Sequence, residues 1–178
     1  MINRDTEQFT NLVDIRVENH NETSPLTVEY AKKGIAIVLA NESPNNSGVD
    51  LFFVSPIIGP RGETQVSGAY DPETNAIFVN RNSPMYGQFL ALGFSDAQAG
   101  LLIAAHEAAH KAQIDRGEEV SPSVDKDLLD SAYVDDVHEV EAWETAIHAY
   151  MYYFPSANGH INVSGRRYDF PEKSKYSL

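Results

Sequence analysis

Within the run LLIAAHEAAHKAQ, His106, Glu107 and His110 stand in the spacing H-E-x-x-H. On a helix, residues four apart lie one above the other, so both imidazoles can aim a ring nitrogen at a single ion. Glu107 lies about 100° round the helix; it is poorly placed to share that ion and well placed to reach a water bound to it. Two neutral imidazoles, a third protein ligand and one open position describe a catalytic zinc site, where the metal brings the pKa of water toward about 7. The Glu107 carboxylate then takes the water's proton as the water attacks a carbonyl. Leu102, Ile103, Ala105 and Ala109 surround the motif, which predicts a mostly buried helix. An imidazole pair without a partner is costly to desolvate in such a place, and a metal supplies the partner.

A third ligand must come from elsewhere in the chain. Positions 113 and 116 are Gln113 and Arg116, so the extended H-E-x-x-H-x-x-G-x-x-H pattern is excluded. The segment DDVHEVEAWETAIHAYMYY offers His138, Glu139, Glu141 and Glu144. As a helix it places His138, Glu141, Thr145 and His148 on one face by steps of three and four, which favours Glu141 as the ligand. Glu139 points about 100° away from His138; with His138 and Glu144 it reads as part of a solvated stripe, while Trp143, Ala146, Ile147 and Tyr150 read as core.

HEAAH followed by a helical EVEAW resembles the gluzincin division of the zincin metallopeptidases, and most closely its compact ImmA/IrrE-type members, with Trp143 in place of an asparagine. The resemblance implies His106, His110 and Glu141 as zinc ligands and Glu107 as general base and acid in peptide-bond hydrolysis. It also implies that an edge strand, here Ala76 to Asn80, pairs with an extended peptide substrate. A residue opposite the water would stabilise the oxyanion. His148, Tyr152, His160, Arg166 and Tyr168 are the candidates, and the sequence does not choose among them. The rival function is a non-catalytic or latent zincin-like module that binds a protein partner, with the C-terminal tail over the cleft in the latent case.

The elements that must position these residues follow from local signals. Val13, Ile15 and Val17 alternate as in a strand. Ser24-Pro25 reads as an N-cap and first helical residue for a helix ending near Asn41. VDLFFVSPIIGP suits a buried strand, and TQVSGAYDPETNAIFVNRNSP a hairpin turning at Asp71–Asn75, with Pro84 ending its pairing and its second arm at or near the sheet edge. Ser95 and Gln98 form a capping box for the motif helix, which stops at Gly117. A third long helix is expected from about Leu128 to Phe154, then an irregular tail packing through aromatics. The whole reads as one α+β domain over residues 1–178, a small mixed sheet packed on the motif helix and a second ligand-bearing helix.

Composition removes several other functions. Thirteen Lys and Arg against 26 Asp and Glu leave a net charge of −13, which repels nucleic acid and anionic lipid surfaces. The absence of cysteine excludes disulfides, thiolate zinc sites and the deformylase variant of H-E-x-x-H, which uses a cysteine ligand. No apolar run approaches the length of a membrane span, and the N-terminus lacks the apolar core of a signal peptide, so a cytoplasmic location is expected. Oligomeric state is not legible. No nucleophile elbow, phosphate loop or dinucleotide fingerprint occurs.

Overall fold

The computed structural model describes residue 9 and residues 12–19, 23–44, 48–54, 66–120 and 136–176. Its strands are β1 (Ile15–Asn19), β2 (Val49–Val54), β3 (Gly68–Asp71) and β4 (Ala76–Asn80), in the sheet order β1-β2-β4-β3. The β1–β2 and β2–β4 pairs are parallel and β3–β4 is antiparallel. Alternation sets the two faces: Val49, Leu51 and Phe53 of β2 are buried, while the intervening Phe52 stacks on Phe78 of β4 at 5.2 Å.

The β3–β4 hairpin turns where the sequence predicts, with Asn75 in the left-handed region at φ 53°. The Ala76–Asn80 arm, however, is not the edge. It lies between β2 and β3, with Ile77 and Val79 fully buried, and β3 is the outer strand. The alternation of this arm is that of a strand covered on its apolar face, and nothing local distinguishes an inner from an outer arm.

Among the described residues four helices pack with this sheet: α1 (Pro25–Glu42), α2 (Pro84–Ala91), α3 (Asp96–Asp115) and α4 (Val137–Tyr153). The Ser24 hydroxyl accepts the Thr27 N–H at 3.2 Å and Pro25 opens α1, satisfying a donor that the helix itself leaves unpaired. Ser83-Pro84 repeats this cap and starts α2, where only the end of a strand was expected. The α3 capping box is reciprocal: Gln98 N–H donates to Ser95 at 3.2 Å and Ser95 N–H to the Gln98 side chain at 2.8 Å. Every residue of α3 from Ala99 to Gln113 is buried, as expected of a helix apolar on nearly all sides. Gly34 lets α1 come this close, since a Cβ there would sit 2.9 Å from the Leu101 carbonyl oxygen.

Asp136 caps α4, its side chain accepting the His138 N–H at 2.9 Å, so the helix starts at Val137. The expected start near Leu128 falls at positions outside the described residues. The tail is less irregular than expected. β5 (His160–Val163) and β6 (Arg166–Asp169) form a hairpin closed by Ser164 and Gly165, both left-handed at φ 49° and 84°, as a two-residue primed turn requires. Its Phe170 packs on Tyr150 at 5.5 Å. The architecture is α+β, with helices on a small mixed sheet. Among the described residues no helix is long and apolar enough to cross a membrane.

Candidate metal centre

One turn of α3 faces the first turn of α4, and their side chains converge on a point. His106 Nε2 and His110 Nε2 lie 3.1 Å apart. Glu139 completes the triangle, with Oε2 3.4 Å from His106 Nε2 and Oε1 3.3 Å from His110 Nε2. All three residues are buried, at 3–4% exposure, and their ligand atoms lie close enough together to hold one metal ion. A tetrahedral ion with bonds near 2.1 Å has donor–donor edges of about 3.4 Å, so the triangle fits three corners of such a site. His106 Nδ1 and Glu139 Oε2 make no hydrogen bond among the described residues. Buried polar atoms left this way cost about 1–3 kcal/mol each.

The expected third ligand is corrected. Glu141 is turned away from the imidazoles: its Oε1 accepts from Arg116 Nη2 at 2.7 Å and its Oε2 from Gln113 Nε2 at 3.3 Å. The cause is helix phase. Glu139, Ala142, Trp143 and Ala146 form the stripe that α4 buries, and Glu141 lies on the half-exposed flank with His138. A carboxylate three and four residues before Ala142 and Trp143 is the signal that marks Glu139, because an acid inside an apolar stripe must be paired.

Gln113, passed over by sequence reasoning, orients one of the two imidazoles. Its Nε2 donates to the His138 carbonyl at 2.9 Å, which turns its Oε1 toward His110 Nδ1, also at 2.9 Å. The amide therefore receives the proton on Nδ1, and Nε2 is the nitrogen that faces Glu139 and His106. Glu141 holds that amide and Arg116, one layer behind the site.

Glu107 sits at the same level of α3, 3% exposed and turned toward β3. A backbone hydrogen bond from Tyr70 reaches its carboxylate, and Oε2 has no hydrogen-bond partner among the described residues. Gly68 is required by this approach: a Cβ there would lie 2.6 Å from Glu107 Oε1.

Burial pushes the Glu107 carboxyl up to about 8, with the charge of Glu139 adding and His110 and the Tyr70 N–H opposing. For Glu139 burial acts in the same direction but is overcome by the nearby imidazoles of His106 and His110, which hold it far below the usual carboxylate range. Burial, reinforced by His110, drives His106 down to about 4. Burial would also lower His110, but Glu139, Glu107 and Gln113 raise it to about 9.

The five oxyanion candidates separate. His160 is exposed at the start of β5. Tyr152 packs edge-on against Phe9 at 5.8 Å. His148 Nδ1 accepts the Lys175 N–H at 3.0 Å, and Arg166 lies over the Tyr168 ring at 5.6 Å. Tyr168 is buried and pushed up to about 12, by burial first and then, against Arg166, by the charges of Glu139 and Glu144. The Glu139 charge thus acts on the Tyr168 hydroxyl. A second acidic group, Glu118, His138 and Glu141, is only half-buried. Arg116 closes it, 2.7 Å from both Glu118 and Glu141, so it already holds its cation.

Neither known protein families nor curated proteins nor solved structures give a match to this chain. The functional reading therefore rests on the chemistry of the site.

Proposed function

We propose that the chain is a zinc-dependent metallopeptidase of the zincin kind, its metal held by His106, His110 and Glu139. The observation that carries this reading is the convergence of two imidazole nitrogens and a carboxylate within 3.1–3.4 Å in a buried setting, with a second carboxylate, Glu107, beside them. Two nitrogens and one carboxylate oxygen are a donor set for catalytic zinc. Zinc held there supplies a Lewis acid for a water and for the scissile carbonyl.

The chain's own residues do the rest. Glu107 takes the proton of the attacking water and passes it to the departing amine as the C–N bond breaks. β3, whose Tyr70 N–H meets Glu107, is the outer strand of the sheet among the described residues, the position suited to pairing with an extended peptide. Gln113 keeps His110 in its ligating tautomer.

Glu107→Gln tests the reading. The variant is expected to keep zinc, by elemental analysis, and to lose hydrolysis of a peptide library by roughly 10²–10⁴-fold, since an amide cannot accept the proton. Equal turnover by the variant and the unaltered chain would remove Glu107 from the chemistry. If neither form cleaves peptides although zinc is bound, the site belongs to a metal-binding module without peptidase activity.

A further inference from the structure

The two imidazoles of the centre are held by different means. His110 is fixed in the usual way, its far nitrogen Nδ1 bonded to Gln113 Oε1 at 2.9 Å. His106 has no such support: its Nδ1 makes no hydrogen bond among the described residues. What it has is Trp143, the chain's one tryptophan, stacked on the imidazole with centroids 4.2 Å apart and planes 29° apart.

The indole is placed by its face. Its Nε1 is buried and makes no hydrogen bond among the described residues, so its N–H is not what selects it at this position. Trp143 is 2% exposed, and the edge-on contact of Phe89 at 6.2 Å supports it. It also follows Glu139 by four residues. One turn of α4 therefore presents a carboxylate and an aromatic face to the one turn of α3 that presents two imidazoles. An imidazole that ligates a cation carries part of its charge, and an indole face attracts positive charge more strongly than any other side-chain ring.

We infer that Trp143 is the positioning residue for His106, its stacked ring doing for that ligand what the Gln113 hydrogen bond does for His110. The inference rests on the metal-centre reading above. Trp143 fixes the imidazole plane so that Nε2 faces Glu139 and His110, and it strengthens the ligand by sharing its charge. A ring is needed at position 143, and apolar volume alone does not suffice.

The test uses the full chain, with zinc alone as the probe and a competing chromophoric chelator to read affinity. Trp143→Phe keeps a ring face and is expected to bind zinc within about 3-fold of the unaltered chain. Trp143→Leu keeps apolar bulk and loses the ring, and should weaken zinc by about 10–100-fold, the usual cost of removing a ligand's outer support. Cobalt(II) bound in its place should show altered visible bands in the Leu variant and unaltered ones in the Phe variant. Thermal melts of the metal-free forms separate these effects from stability. In the unaltered chain, which needs no substitution, Trp143 emission should change during a zinc titration with the same midpoint as the chelator reading.

Leu and Trp forms of equal zinc affinity with identical cobalt bands would overturn the inference while leaving the metal centre intact. So would stoichiometric zinc uptake with unchanged emission. An unaltered chain that takes up no metal overturns both.

Discussion

Asp96 and Glu139 are both carboxylates held against α3, the first at its N-terminus and the second at its middle, and their surroundings are opposite. Asp96 is saturated. Thr27 Oγ1 donates to its Oδ2 at 2.6 Å, and Arg81 and the Tyr86 hydroxyl both reach its Oδ1 at 3.0 Å. Among the described residues Glu139 meets only two imidazole nitrogens, at 3.3 and 3.4 Å, and beside it His106 Nδ1 and Glu107 Oε2 are left without hydrogen bonds. Asp96 ties α1, α2 and α3 together and leaves nothing for a ligand to satisfy. The cluster around Glu139 is incomplete as protein alone, and that incompleteness points to an ion.

The largest effect expected from this contrast is on stability at Asp96. Asp96→Ala removes three partners' acceptor, exposes Arg81 unpaired and should cost about 2 kcal/mol, read from denaturant melts, with no change in zinc affinity. Burial pushes the Asp96 carboxyl up, but the bonds from Thr27, Arg81 and Tyr86 outweigh it and hold it below the usual range. Its contribution is therefore present above about pH 4 and is lost as acid titrates the folded state. A loss of zinc affinity in Asp96→Ala would erase the distinction between the two clusters.

A smaller effect is expected from pH at the other cluster. His110, raised to about 9, holds a proton at neutral pH, while His106, lowered to about 4, does not. Zinc must displace that one proton, so its affinity should rise about tenfold from pH 6 to pH 7, or about 1.4 kcal/mol. Chelator competition at three pH values reads the slope. A flat profile would mean that the ligand set does not include the protonated imidazole.

How much of this was legible in the sequence differs by element. Ser24-Pro25 and the Ser95–Gln98 box mark helix starts because the groups that satisfy the first N–H donors are adjacent in the chain. His106 and His110 are legible for the same reason: one helix sets their spacing. Ser83-Pro84 carries the same cap signature as Ser24-Pro25, yet the proline was read only as the end of a strand; the following PMYGQFLA is a helix because Tyr86 and Phe89 bury. Whether Ala76–Asn80 lies inside or at the edge depends on which arm of the hairpin meets β2, a long-range choice with no local trace. The acid that meets the two imidazoles lies two residues before the expected Glu141, because the polar stripe of α4 does not face α3. α4 instead turns its apolar stripe to α3, and Glu139 comes with it. Trp143 was correctly read as core, but its stacking on His106 depends on how α3 and α4 meet.

The central claim is that Glu139, with His106 and His110, forms the metal centre. Zinc content and affinity of Glu139→Ala and Glu141→Ala, measured side by side by elemental analysis and chelator competition, test it most directly. The account predicts that Glu139→Ala loses nearly all bound zinc. Glu141→Ala, whose carboxylate bonds Gln113 and Arg116 behind the site, should retain it with affinity reduced by about tenfold or less. Full zinc in Glu139→Ala together with its loss in Glu141→Ala would contradict the account.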